Sequence, residues 1–354
     1  MEVPPADGLP IPITSNPSRF PLRGWALELA RRWNSAAYTL FVLHGNIFDA
    51  FPVQNDGKEV EYVPLKTFLS RRLFPGREYL LFYDIGDGLT FGSADMQKHF
   101  FEWLEIYDRV EGANFHQSGP PREFVRLAPL LRRFFLRLAD DRQGRSSVTL
   151  IIDFPEKIIP AQEESGASLE ERMALVTLLK WAAAPEMRQL DLGVFLVTES
   201  AAELSADLLQ NPHVAQIKIE LPDAEERLRF LQSGWAEKMA GNRPLSEWSD
   251  FTAVELAPRS AGLNLLRTQH LLAEAVRNGA RVNGEHVAAA KKRLIEEFCQ
   301  GLVRFKDPKA GVTLDRVATH ASAKAKLREL AWLIKNNKTD VLERGVLVPG
   351  RVGV

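Results

Sequence analysis

The chain has 354 residues, 45% apolar and 26% charged, with a formal net charge of −1. That length accommodates two or three domains with a sizeable core, and near neutrality gives no electrostatic footprint for nucleic acid or an anionic membrane. Cys299 is the one cysteine, which excludes a disulfide framework and a cysteine-cluster metal site and fits a reducing compartment; no apolar run approaches the ~20 residues of a membrane span, so a cytoplasmic protein is expected.

Residues 1–21 are Pro-rich, lack a basic-then-apolar signal pattern and read as a flexible lead-in. Five short apolar runs follow: Tyr38–His44, Tyr79–Ile85, Val148–Phe154, Gly193–Thr198 and Val214–Leu221. Near-continuous apolarity over five to eight residues suits strands buried on both faces, as in a parallel sheet covered by helices. Segments with 3.6-residue apolar spacing alternate with them, among them Leu22–Trp33, Glu123–Ala139 and Leu169–Ala183. The expected fold class is therefore α/β over residues 22–222: a mainly parallel five-stranded sheet, Val148–Phe154 in its interior, with helices on both faces.

After Leu221 the pattern turns helical. Pro222-Asp223-Ala224-Glu225-Glu226 reads as a helix start, with Pro and then acidic residues beside the positive end of the helix dipole. Candidate helices are Ala224–Ala240, Leu245–Leu256, Gly262–Asn278 and Asn283–Leu302, a small all-α domain over 223–303. Beyond it, 304–354 read as a linker and a new unit: Leu314–Val317, a helix Ser322–Asn336 and a strand–turn Val346–Val354.

Several residue groups carry no chemistry as they stand. The seven histidines are scattered without metal-ligand spacing and read as structural or surface residues. Asp84, Asp87 and Asp95 alternate with glycines, but the Glu that closes a calcium loop is missing and a solvated strand-to-helix loop is expected. Arg122, Arg126, Arg132, Arg133, Arg137, Arg142 and Arg145 surround one helix whose phenylalanines sit at core spacing, so a solvated face or interface is expected rather than a nucleic-acid surface. No G-x-S-x-G elbow supports a triad hydrolase.

The order of an α/β core, a small helical domain and a second strand–turn resembles a tandem AAA+ ATPase. The match is best over Thr198–Leu231, where a strand ends in a polar residue, Leu208-Leu209 close a helix, and Ile217–Leu221 run into Pro222-Asp223 and Glu225-Glu226-Arg227. It is also seen over Thr313–Val348, with Leu314-Asp315-Arg316-Val317 and Gly345-Val346-Leu347-Val348. The resemblance implies ATP and Mg²⁺ as cofactors of the complete protein. It places Asp153 at the Walker B position and Thr198 at sensor 1. Gly350 and Gly353 would open a P-loop, G-x-x-x-x-G-K-[ST], that runs past Val354, so the chain reads as a degenerate first module followed by the truncated start of a second.

The departures are catalytic. The first strand runs into Gly45-Asn46-Ile47-Phe48-Asp49-Ala50-Phe51, with no Lys or Ser/Thr at P-loop spacing, so tight nucleotide binding is not expected. Phe154 stands where the water-polarising carboxylate belongs, and Glu156 lies beyond Pro155. Gln210-Asn211-Pro212-His213 lacks the trans-acting Arg. The expected function is a non-hydrolysing part of an AAA+ protein in ring assembly or substrate remodelling, partnered by itself, other AAA+ subunits or protein substrates, without nucleic acid or membrane. The alternative is a stand-alone, catalytically dead AAA+-like scaffold.

Overall fold

The computed structural model describes residues 22, 24–54, 60–140, 146–161, 166–299, 302, 313–316 and 320–336. The chain divides into two compact units, 1–291 and 292–354.

The first unit is built on a six-stranded sheet. Its strands are β1 (Leu40–Gly45), β4 (Tyr79–Asp84), β5 (Gly88–Phe91), β6 (Ser147–Asp153), β7 (Asp191–Thr198) and β8 (Val214–Ile219), while β2 (Phe51–Gln54) and β3 (Val60–Val63) pair apart as a hairpin. The order is β5-β4-β6-β7-β1-β8. All neighbours are parallel except β5, which runs antiparallel to β4. The five apolar runs thus form one parallel sheet, with β6 in its interior.

The sixth strand comes from the stretch expected to be a solvated loop. The Asp84 carboxylate accepts from the Gly86 and Asp87 amides at 2.8 Å each, and Gly88 adopts φ +75°. This local turn folds Gly88–Phe91 back on β4. Asp84 is therefore a turn-forming residue, and no group of three His, Cys, Asp or Glu side chains among the described residues could hold a metal ion.

Helices cover both faces. Ala94–Glu111, Phe124–Asp140 and Leu169–Ala183 bury Phe100, Phe134, Phe135 and Trp181 against one face. Gly24–Asn34 and the turn Leu65–Leu73 bury Leu29, Trp33, Phe68 and Leu69 against the other. Of the arginines on Phe124–Asp140, Arg132 pairs with Glu186 and Arg133 with Glu111.

Residues 224–291 are helical with a core of their own around Phe230, Trp248, Leu256 and Leu272. Two expected helices are broken. Ala224–Gln232 starts with an Asp223/Glu226 capping box and stops at Ser233, Gly234 (φ +75°) turns the chain, and Trp235–Met239 follows. The next splits into Leu245–Trp248 and Ala253–Arg259, because Thr252 and Glu255 form a capping box and the Arg281 guanidinium takes the freed carbonyls of Glu247 (2.6 Å) and Ser249 (2.7 Å). Leu265–Arg277 and Gly284–Phe298 complete the set. In the second unit the described residues include the turn Leu314–Arg316 and the helix Ala321–Lys335, joined by an Arg328–Asp315 ion pair. The expected lead-in 1–21 and the strand–turn Val346–Val354 lie outside the described residues.

At the amino ends of β4, β6 and β7 one buried cation ties the sheet. Arg77, 5% exposed, donates to Thr149 Oγ1 (3.0 Å), Val148 O (3.1 Å), Asp191 O (2.7 Å) and the Asp191 carboxylate, and its guanidinium lies 5.0 Å from the Trp33 ring. Breaking a buried pair on one side strands the other charge, which costs roughly 3–5 kcal/mol. Arg77→Ala is expected to lower the unfolding free energy read from urea denaturation by that much, and Arg77→Ala with Asp191→Ala by less than the sum of the singles.

Candidate functional site

In an open parallel sheet ligands gather beyond the carboxyl ends of the strands. Here those ends bring together Asp153 on β6, Thr198 on β7 and the loop after β1.

The loop begins at Gly45, which adopts φ +101°. A Cβ there would lie 2.6 Å from the carbonyl oxygen of Ile219, so only glycine fits. Four of the loop's amides are spent on the protein itself. Gly45 N donates to Glu199 O (3.0 Å), Asn46 N to Ile219 O (2.9 Å), Ile47 N to Gly45 O (2.8 Å) and Ala50 N to the Asp49 carboxylate (2.8 Å). No helix starts in this loop; it passes into the β2–β3 hairpin, and helical structure resumes at Leu65.

Asp49 projects from the loop and is 7% exposed. Its carboxylate accepts from Asn46 Nδ2 (2.6 Å), Ala50 N and, 217 residues away, Leu266 N (2.9 Å). The Leu265 backbone hydrogen-bonds it as well. Asn264 Nδ2 donates to Asn46 Oδ1 (3.0 Å), and Asn264 Oδ1 caps Arg267 N (2.8 Å). Burial raises the Asp49 pKa above the usual carboxylate value, and these hydrogen bonds only partly offset it.

The next strand end differs from its sequence reading. Phe154, 47% exposed, takes a left-handed turn at φ +52°. That turn brings Glu156 round so that its Oε2 accepts from Thr198 Oγ1 at 3.1 Å; Thr198, 1% exposed, also reaches Ser200 O at 3.3 Å. Thr198 therefore faces Glu156, not Asp153. Asp153 has the Lys66 ammonium 3.8 Å away, itself 4.2 Å from the centroid of the Phe82 ring. Burial raises the Asp153 pKa, Lys66 pulls it back and Asp84 raises it further. On β1, burial and then Lys218 lower the pKa of His44.

Sequence reasoning missed Lys66-Thr67, the hydrogen bond of Glu156 with Thr198, and the pairing of Asp49 with the Leu265–Arg277 helix. A Lys-Thr pair does lie in the helical turn that starts at Leu65, but 21 residues beyond Gly45 and behind a hairpin. Gly350 and Gly353 lie outside the described residues.

These residues do not fit a nucleoside triphosphate. The amides of Gly45, Asn46, Ile47 and Ala50 have internal acceptors, and the Asp49 side chain beside them is a buried carboxylate. The adjoining cleft, lined in part by Trp25, Asn46, Asp49, Tyr62, Asp223 and Leu265, measures about 140 Å³, against the roughly 300–1,000 Å³ of small-molecule sites. At Asp153 the neighbouring cation is a lysine.

The family model "AAA+ chaperone, N-terminal Rossmann-like domain" matches residues 16–220, and "AAA+ chaperone, second helical domain" matches residues 225–300. A search of curated proteins finds no match. Among solved structures the chain is similar to one described as "Structure of E. coli MS115-1 HORMA:CdnC:Trip13 complex", at 14% identity over 75% of this chain and 76% of that one, with a TM-score of 0.42. That likeness is too distant to carry an argument.

Asp153 gives a pH signature. Between its usual 3.8 and its raised value the folded chain binds more protons than the unfolded one. Stability from this group is therefore lost as pH rises through that window. Asp153→Asn is expected to gain on the wild type across the same window and to show no advantage below 3.8. Unfolding midpoints measured from acid to neutral pH check this.

Proposed function

The chain belongs to the AAA+ chaperone family, and from that premise we propose that it is a non-hydrolysing module, working in ring assembly or substrate remodelling through protein contacts. The family uses ATP and Mg²⁺ for turnover. One observation carries the reading: amides of the loop after β1 are bonded to acceptors of the chain itself, and the loop holds a buried carboxylate, Asp49, where a phosphate requires free donors.

The other strand ends support it. Phe154 stands exposed in the position that follows Asp153, and Lys66 lies beside Asp153. Glu156 is already hydrogen-bonded to Thr198. Protein partners are favoured by an exposed apolar row, Leu169, Met173 and Val176, one and two turns apart on one helix. Further AAA+ subunits or copies of this chain are the proposed partners.

Phosphate release by the purified chain tests the absence of turnover. No Mg²⁺-dependent release above the buffer control is expected. Turnover near 1 s⁻¹, within the usual range of enzymes, that vanishes on Asp153→Ala would overturn the reading.

A further inference from the structure

The first turn of a helix leaves backbone N–H groups without partners inside the helix, and the summed dipole there favours an anion. At Leu265–Arg277 the partners come from the chain itself. Leu266 N donates to the Asp49 carboxylate at 2.9 Å, the Leu265 backbone hydrogen-bonds the same group, and Arg267 N goes to Asn264 Oδ1. Asp49 also takes Asn46 Nδ2 and Ala50 N, so donors converge on an acceptor-only group from both the sheet loop and the helical region. Asn264 closes the ring through Asn46 at 3.0 Å. The whole arrangement is well buried at Asp49, where charge-assisted hydrogen bonds are strong.

We propose that Asp49 is a built-in anionic latch: its carboxylate holds the N-terminus of the Leu265–Arg277 helix to the loop after β1, fixing the helical domain against the sheet without a bound nucleotide. This rests on the reading that the module turns over no nucleotide, and it adds what takes the nucleotide's place. Neighbouring charge fits the role. Asp223 and Glu226 are engaged with each other in a capping box, while Glu220 and Arg229 line the cleft beside the latch. Among the cleft's lining residues the only cation is thus Arg229.

Hydrogen exchange on the full chain tests it. Asp49→Ala is expected to speed exchange of the Leu265–Thr268 amides about tenfold or more and to leave the Val148–Ile152 amides of β6 unchanged. Asp49→Asn, which keeps one acceptor oxygen, should restore most of the protection. Millimolar Mg·ATP should not alter exchange at Leu265–Thr268 in the wild type. Unchanged exchange there in Asp49→Ala overturns the latch, and so does protection gained by the wild type on adding Mg·ATP. If Asp49→Ala loosens β6 as well, Asn264→Ala decides. It removes a linking donor without removing charge, and it must speed exchange at Leu266 with β6 intact, or the proposal fails. The assays fail separately, because phosphate release reads turnover while exchange at Leu266 reads the latch.

Discussion

The close approach of Gly45 to Ile219 governs the upper edge of the sheet. Parallel pairing of β1 with β8 sets Gly45 opposite Ile219, and the missing side chain lets the backbone turn at φ +101° against that carbonyl. A chain leaving β1 at another angle would not bring Asn46 N to Ile219 O or Asp49 to Leu266. The same turn feeds the β2–β3 hairpin, whose Tyr62 meets Phe230 edge-on, ring centroids 4.8 Å apart. One glycine contact thus positions both a polar and an aromatic tie to the helical region.

Beside the Tyr62–Phe230 contact, the junction between sheet and helices carries buried polar ties. Arg227 is buried, donating to Ala257 O at 2.7 Å and to Pro222 O, so a guanidinium ties the segment before the first helix to a second helix. Burial lowers the pKa of Arg227; burial and then Arg227 lower that of Lys291. A cation kept from water in this way must have its hydrogen bonds satisfied, because the cost of an unpaired buried group exceeds the net gain from pairing it. Asp49 follows the same rule with opposite sign. Such contacts are directional, and so they fix one relative placement of the two parts where a greasy interface would tolerate several.

How much of this was legible in the sequence depended on the range of the interaction. The five parallel strands were readable because burial on both faces leaves near-continuous apolar runs. The Leu169–Ala183 helix was readable to its ends, since Ser168 and Glu171 form the capping box before it. The short β2, β3 and β5 were not, as each has about four residues and its pairing depends on a turn rather than on apolarity. The two helix breaks hid for a related reason: Thr252 can sit inside a helical pattern, and only Arg281, far along the chain, rewards the carbonyls exposed by stopping there. Asp153 and Thr198 were found at strand ends because topology alone places them. Their partners were not, because Lys66 arrives from a hairpin and Glu156 from a left-handed turn at an exposed Phe154.

Membership of a family therefore fixes positions more firmly than it fixes chemistry. The order β6-β7-β1 would bring a strand-end carboxylate, a buried hydroxyl and a glycine turn to one edge whatever the side chains between them did. What those groups then contact is decided locally. At this edge the amides of Gly45, Asn46, Ile47 and Ala50, those of Leu266 and Arg267 and the Thr198 hydroxyl find acceptors within the chain. Hydrogen-bond donors that are already satisfied gain little from an incoming ligand, since binding would only exchange one partner for another and would add the cost of breaking the first. An edge that keeps the topology of a ligand site while satisfying its own donors is thus stable as it stands, and it leaves the exposed apolar groups around it, Phe48 and Phe154 among them, as the surface from which further contacts can draw favourable burial.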